Sequence, residues 1–307
     1  QETQKTDKNG EKIWKMFRMA SDLANTSLLQ GADFIEKDGH PNDDNQHGTF
    51  LATLIAGEYG VAPGATILPV KVLDHNRVGS ELAIAEGILF ATQKGAHIIN
   101  MSLAFPQGYF PSPYLMAAVE KAVKKGVILV AASGNGGETP GDSVRYPAAF
   151  QPVIAVGAVE LNKKNKKASV TAYSSRGGSL DFIAAGGNLE NDANRDGMPD
   201  GILSQTFDPN EPTLFGHWLM SGTSVSTAYT TATIALLLAK GAKAQDIPQL
   251  LAKGAKTLPA TKDQYNSTGQ GLIQVDKSLN LIKKSSKIAE VPLSYINMIP
   301  LILKKNA

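Results

Sequence analysis

The sequence predicts an α/β fold in three layers, with a mainly parallel central sheet covered by helices on both faces. Short runs rich in β-branched residues alternate along the chain with helical segments. Several of these runs are apolar at every position, which is typical of strands buried on both faces in a parallel sheet. Ligands of such sheets bind beyond the carboxyl ends of the strands. We therefore expect a functional crevice at that edge.

The elements are predicted in order along the chain from apolar runs and helical periodicity. Residues 1–12 are polar and are expected to form a loop, and residues 13–20 an exposed helix or strand. The expected strands are 31–35, 65–73, 97–103, 127–132, 153–159 and a short closing strand at 271–276, and the expected helices are 47–57, 81–93, 114–125 and 228–239. This divides the chain into an N-terminal loop or processed extension (1–21), one large domain (22–281) and a C-terminal extension (282–307).

Composition excludes several classes of protein. The 307 residues are 42% hydrophobic and 19% charged, as expected for one large globular domain. The net charge of +2 is too close to neutral to indicate binding to nucleic acid or to a membrane surface. Without cysteine the chain has neither disulfides nor a thiolate metal site. The longest apolar run, 291–303, is short and contains two prolines, so no membrane span is expected.

A serine lies where an apolar helix begins. Ser224 stands among small residues in the segment 218–228, directly before the helix predicted at 228–239. The N-terminus of a helix favours negative charge, because its first N–H groups have no partner within the helix. A hydroxyl held there suits a nucleophile that attacks a carbonyl. The alternative is a serine that only caps the helix.

Two further segments carry polar residues at the ends of buried elements. His47 opens the apolar helix 47–57, and imidazole titrates near neutral pH, as a general base requires. Asn135 lies between glycines just after the strand 127–132, where its side-chain NH₂ could donate to an oxyanion. Taken singly, each has a structural alternative: a histidine at a helix start, and an asparagine in a turn.

In this chain order, and at the ends of buried elements, these three segments together resemble the subtilisin-like serine proteases, the subtilases, over residues 22–281. The resemblance implies a serine endopeptidase with Ser224 as nucleophile and His47 as base. Asn135 and the backbone N–H of Ser224 would stabilise the oxyanion. It also implies a polypeptide substrate and a secreted or periplasmic protein.

The resemblance further implies a surface that binds the substrate as an added antiparallel strand. The positions that match it are the edge Gly79 and Ser80, one pocket wall at Ser102, Leu103 and Ala104, and the other wall at Ala132, Ser133 and Gly134. These small residues imply a roomy apolar pocket for the residue before the scissile bond. The segment 105–113 departs from the glycine-rich form of the family.

The aspartate that the family uses to orient its histidine is not found. It normally ends an apolar strand about 30 residues before the histidine, in the order Asp, His, Ser. That spacing reaches residues 12–20, which contain no aspartate. Asp22 matches a surface aspartate of the relatives, and Asp7 follows a segment too polar to be a buried strand.

Three explanations are open. The strand and its aspartate can belong to a preceding polypeptide, such as an N-terminal segment or prodomain. The protein can instead be a catalytically inactive scaffold that binds peptides or a partner protein. Thirdly, Asp43 or Asp44 can orient His47 from an unusual loop. The intact histidine, asparagine and serine segments favour the first. An esterase of the α/β-hydrolase kind is disfavoured, because no Gly-x-Ser-x-Gly surrounds Ser224 and the histidine precedes the serine.

One loop has the spacing of a calcium site. Oxygen side chains stand at positions 1, 3, 5 and 9, a glycine at 6, and a backbone carbonyl is available at 7. The ligands would be Asp192, Asn194, Asp196, Met198 and Asp200. The loop lacks the glutamate at position 12, and an Asx-rich turn without an ion is the alternative. A structural Ca²⁺ is predicted, which supports export because calcium is abundant outside cells.

Overall fold

A computed structural model describes residues 2–6, 12–16, 19–161, 167–258 and 266–282, the first two ranges as backbone only. Within those ranges no helix is long and apolar enough to cross a bilayer. The strands are β1 Glu2–Thr6, β2 Lys12–Met16, β3 Ala32–Asp33, β4 Val70–Lys71, β5 Ile98–Met101, β6 Ile128–Ala132, β7 Val153–Leu161, β8 Ala168–Val170, β9 Phe182–Ala185, β10 Ile202–Asp208 and β11 Glu211–Met220. The helices are α1 His47–Ala56, α2 Glu81–Gln93, α3 Pro113–Lys124, α4 Thr223–Ala239, α5 Ile247–Gly254 and α6 Val275–Asn280.

The main sheet is largely parallel, in agreement with the sequence. Strands β5, β6, β7 and β9 pair in parallel in that order, and β8 adds antiparallel to the end of β7. Every residue of β6 is buried. Its side chains alternate between two cores, with Leu129 in one and Val130 in the other. A strand buried on both faces explains why its sequence is apolar throughout.

Helices cover both faces of this sheet and complete the three layers. Helices α2 and α3 contribute Ile88 and Leu115 to the core that contains Leu129. On the opposite face, α4 and α5 contribute Ile234 and Leu251 to the core that contains Val130. Helix α4 also packs against α1 through a third cluster of buried residues. The predicted fold class is confirmed.

The sheet is interrupted between β4 and β5. Strands β3 and β4 pair with each other in a separate two-stranded parallel sheet, with Ala32 opposite Val70. A cavity of about 2280 Å³ separates β4 from β5, and it is lined by residues of both strands and of α1, α2 and α4. We call this cavity the inter-sheet slot. It lies where one more strand would join the two sheets.

The structure differs from the expected elements in several places, and strands β8 and β9 and helix α5 were not predicted. Residues 2–6 and 12–16 pair as an antiparallel hairpin, where a loop and an exposed segment were expected. The strand expected at 65–73 is reduced to Val70–Lys71. The prediction of a closing strand at 271–276 is wrong, because Leu272 forms only isolated β-bridges and α6 begins at Val275. The long hairpin β10–β11 was not predicted, although it packs against α1. Residues 283–307, most of the expected extension, lie outside the described residues.

Candidate active site

The serine and the asparagine segments meet beside the start of α4. The helix begins at Thr223, after Gly222 with a φ of 144°, a conformation that side chains rarely allow. Thr223 donates to Asn135 Oδ1 from its backbone N–H at 3.0 Å and from its hydroxyl at 2.8 Å. Asn135 Nδ2 has no partner among the described residues and lies 3.3 Å from the point where a Cβ on Gly222 would stand. The amide is thus oriented by the residue next to Ser224, and its donor is free.

Ser224 is partly exposed and bonded to the end of β5. Its hydroxyl donates to the carbonyl of Ser102 at 3.2 Å, and the Ser102 hydroxyl donates back to the carbonyl of Ser224 at 2.8 Å. This pairing links α4 to the predicted pocket wall. Among the described residues no hydrogen bond joins Ser224 to His47. Hydrogen bonds of catalytic groups are often absent or long before substrate binds.

His47 is the first residue of α1, as predicted, and it is partly exposed. Burial, and next the charge of Arg77, lowers the pKa of His47 to about 4, while Asp43 acts in the opposite direction. The ring is therefore neutral at pH 7, which is the form that accepts a proton. Arg77 was not found from the sequence, since its effect arises only because its loop folds beside Asn45, to which it donates at 2.9 Å.

The nearby carboxylates all have other partners. Asp43 caps α1 by accepting the N–H of Thr49 at 2.6 Å, and it also accepts the N–H of Asn45. Asp44 forms an ion pair with Lys71 at 2.5 Å. Asp22, expected at the surface, is buried and lies 3.0 Å from His217 Nε2. None of these carboxylates is hydrogen-bonded to the His47 ring.

The other predicted substrate-binding residues lie in three places, before α2, after β5 and at the end of β6. Ser80 is the N-cap of α2, and its hydroxyl accepts the N–H of Ala83 at 3.0 Å. Gly79 packs so closely on the Val72 carbonyl that a side chain would collide with it. After β5, Ser102 contacts Ser224, Leu103 packs against the core beneath α2 and α3, and Ala104 follows. At the end of β6, Ala132, Ser133 and Gly134 are buried, so solvent reaches this segment at Asn135.

In the predicted calcium loop, the carboxylate side chains accept hydrogen bonds from backbone N–H groups of the same loop. Asp192 accepts the N–H groups of Arg195, Asp196 and Gly197. Asp196 accepts from Met198 at 2.9 Å, and Asp200 accepts from Ala193. Over the part of the chain that the structure describes, no three His, Cys, Asp or Glu side chains are gathered to hold a metal. In this conformation the carboxylates of the loop accept its own N–H groups and are not gathered around one point.

Comparison with known proteins identifies the family of this chain. The profile of the Subtilase family matches residues 18–272. Subtilisin DY of Bacillus licheniformis is 32% identical over 269 residues, which is 84% of this chain and 86% of that protein. Subtilisin Savinase of Lederbergia lenta is 39% identical over 170 residues, 53% of this chain and 59% of that protein.

Solved structures resemble the fold over most of the chain. Fervidolysin from Fervidobacterium pennivorans, a keratinolytic enzyme related to subtilisin, superimposes with a TM-score of 0.71 at 25% identity, covering 88% of this chain and 41% of that one. A lanthipeptide protease superimposes with a TM-score of 0.68 at 26% identity, covering 86% of this chain and 84% of that one. The chain therefore belongs to the subtilase family of serine proteases.

Proposed function

We propose that this chain cleaves peptide bonds of extended polypeptides, with Ser224 as nucleophile, His47 as general base, and Asn135 Nδ2 and the Ser224 N–H as oxyanion donors. One observation carries the assignment. Two hydrogen bonds from Thr223 orient the Asn135 amide beside the nucleophile and leave its NH₂ group free. Preorganised donors of this kind stabilise a tetrahedral intermediate because they need no rearrangement when the negative charge develops.

In the proposed reaction, Ser224 Oγ leaves the Ser102 carbonyl and transfers its proton to neutral His47 as it attacks the substrate carbonyl carbon. The carbonyl oxygen becomes negative and accepts from Asn135. His47 then gives its proton to the leaving amine, and water releases the acyl group by the reverse steps. Because Ser102 O is freed when Ser224 turns, that carbonyl becomes available to a backbone N–H of the substrate.

We further propose that a β-strand from outside the described residues fills the inter-sheet slot and carries the carboxylate that orients His47. The slot has strands on both sides and helices above and below. Its apolar lining includes Val70 of β4, Met101 of β5, Leu51 of α1, Ile88 of α2 and Ala235 of α4. The edges of β4 and β5 that face it would both offer backbone groups to a parallel strand.

The size of the slot supports a polypeptide occupant. Small-molecule sites usually enclose about 300–1,000 Å³, whereas this cavity measures about 2280 Å³. A five-residue strand, the length of β6, spans about 17 Å.

A catalytically inactive scaffold that binds peptides or a partner protein is the rival function. The same inter-sheet slot would then hold a strand without a carboxylate, and Ser224 would not react. The serine, histidine and asparagine segments lie at the ends of helices and strands where the sequence predicts them, which favours the enzyme. A scaffold would also have no use for the free NH₂ group of Asn135.

Calcium binding and export remain proposals. Binding of Ca²⁺ by residues 192–200 would require the carboxylates of Asp192, Asp196 and Asp200 to converge on one ion. Export to the cell exterior or the periplasm would provide the calcium.

The function is tested with a fluorophosphonate probe, which reacts only with an activated serine. We expect labelling of Ser224 that is lost in Ser224→Ala and strongly reduced in His47→Ala. Circular dichroism shows whether each variant is folded. Absence of labelling in the folded chain, with and without an added carboxylate-bearing strand, would favour the inactive scaffold.

A further inference from the structure

An ion pair lies directly against the loop that carries Asn135. Arg145 contacts Asp142 Oδ1 with Nε at 3.0 Å and with Nη2 at 2.7 Å. The Asp142 side chain is only 2% exposed and that of Arg145 is 23% exposed. A second oxygen, Asp142 Oδ2, is buried without a hydrogen-bond partner among the described residues. Such a pair is costly to desolvate, so its place beside the active site calls for a function.

The pair occupies the space that side chains at the two neighbours of Asn135 would need. A Cβ on Gly134 would lie 2.9 Å from Arg145 Cδ, and one on Gly136 would collide with the Arg145 guanidinium and lie 2.5 Å from Asp142 Oδ1. Because neither glycine has a side chain, the ion pair can pack directly against the backbone of the loop. Gly134 also has a φ of 114°, which favours glycine.

The loop is also held by the segment 173–175. Ser175 donates its N–H to the Gly134 carbonyl at 2.9 Å, and its hydroxyl accepts the N–H of Gly136 at 3.2 Å. The backbone N–H of Arg145 donates to the Ser133 carbonyl at 2.9 Å. The loop thus contacts both the ion pair and this segment, while Asn135 itself is exposed.

We infer that Arg145 and Asp142 are positioning residues, which hold the Asn135 loop so that its side-chain NH₂ meets the oxyanion. Among the described residues neither forms a hydrogen bond with Ser224, so they act on the reaction through the Asn135 loop. This deepens the proposed function and rests on it for its catalytic consequence. Misplacing a catalytic group by about 1 Å can cost on the order of 100-fold in rate.

The test removes both charges of the ion pair together, so that the net charge is unchanged, and does so with Asn135 present and with Asn135→Leu. Arg145→Gln alone leaves a buried carboxylate without a partner and can fail to fold, so the main variant is the double change Arg145→Gln with Asp142→Asn. We expect it to lower the rate of fluorophosphonate labelling by about 10- to 100-fold. In an Asn135→Leu background the same double change should have less than about a twofold effect, because coupled residues are not additive. Lys124→Gln with Glu120→Gln removes an exposed ion pair and is the matched control.

A second measurement does not depend on activity. The Asn135 side-chain amide should be rigid by NMR in the unaltered chain, and its order parameter should fall below about 0.6 in the double variant. Equal losses of rate in both backgrounds, or an amide that stays rigid, would overturn the inference. If the unaltered chain is not labelled but its amide loses order in the double variant, the proposed function fails while the role of the pair in holding Asn135 stands.

Discussion

Ser224 and Ser102 are joined by two reciprocal hydrogen bonds, each hydroxyl donating to the other residue's carbonyl, at 3.2 and 2.8 Å. The proposed nucleophile thus occupies a backbone acceptor on the predicted pocket wall, whereas its proton acceptor in the proposed reaction is His47. Binding a substrate strand would compete for the Ser102 carbonyl and release the hydroxyl. In the proposed mechanism, substrate binding would therefore be coupled to activation of Ser224.

The orientation of Asn135 by Thr223 leads to the first prediction. Asn135→Leu should lower kcat by roughly 10²–10³ with little change in KM, as expected when one oxyanion donor is removed. Thr223→Val should lower kcat less, since it removes the hydroxyl bond to Asn135 Oδ1 but keeps the bond from the backbone. Thr223→Ser keeps both bonds and is the control. Steady-state kinetics on a peptide substrate measure these effects, and an unchanged kcat in Asn135→Leu would remove the residue from the mechanism.

The pKa of His47 leads to the second prediction. Since the pKa is lowered to about 4, the labelling rate should rise with pH around 4 and then level off. Arg77 contributes to this lowering, so Arg77→Gln should raise the pKa and move the rise to higher pH. Lys124→Gln, on α3, removes one positive charge, as Arg77→Gln does, and is the control. A pH profile of labelling that is identical in Arg77→Gln would show that the guanidinium does not act on the ring.

The same shift affects stability. His47 binds a proton less readily in the folded chain than in the unfolded chain, whose histidine pKa is about 6.5. Its contribution to the free energy of unfolding is therefore fully present above about pH 6.5 and is lost as the pH falls towards 4. In denaturant titrations, the difference in free energy of unfolding between the unaltered chain and His47→Gln should be constant above about pH 6.5 and should change as the pH falls towards 4.

The third prediction concerns the inter-sheet slot. A Val/Ile-rich strand that ends in Asp, fused through a Gly/Ser linker, should raise the melting temperature and the rate of peptide hydrolysis. The linker supplies a millimolar effective concentration. An otherwise identical strand ending in Asn should stabilise equally, but kcat should be lower by roughly 10⁴, as when subtilisin loses only its aspartate.

A polar Ser/Gly-rich fusion is the negative control for this experiment. If the apolar fusions leave the melting temperature unchanged, the slot does not accept a strand. Equal hydrolysis with Asp and Asn would mean that the strand fills the slot without providing the carboxylate.

The fourth prediction is that residues 192–200 bind one Ca²⁺. A ligand that binds only the folded state stabilises it, by about 2.7 kcal/mol at 100 times its Kd. A chelator should then lower the melting temperature, and Asp196→Ala should abolish that response. Glu190→Gln, outside the loop, should leave it intact. Equal sensitivity to chelator in Asp196→Ala would place any calcium elsewhere, and no sensitivity in the unaltered chain would favour the Asx-rich turn.

Much of the fold was predictable because its signals are local. The bounds of α2 match the prediction, since Ser80 caps the helix and apolar residues recur along one face. Likewise, β6 is apolar at each position because both of its faces are buried. The predicted closing strand was wrong because Leu272 pairs with Ile183 of β9 only through an isolated bridge, and the chain turns into α6 at Val275. Apolar character predicts burial, while strand pairing depends on neighbours that are distant in sequence.

For the site, the chain alone determined which residue types stand where buried elements end: Ser224 and His47 at helix starts and Asn135 after a strand. It also indicated that an aspartate-bearing strand was lacking. Only the tertiary structure decided the Thr223–Asn135 bonds, the Ser102–Ser224 pairing and the position of the inter-sheet slot. It likewise placed Arg145 and Asp142 against the loop that carries Asn135. The physical reason is that these features are contacts between segments far apart in sequence, and neither composition nor periodicity records such contacts.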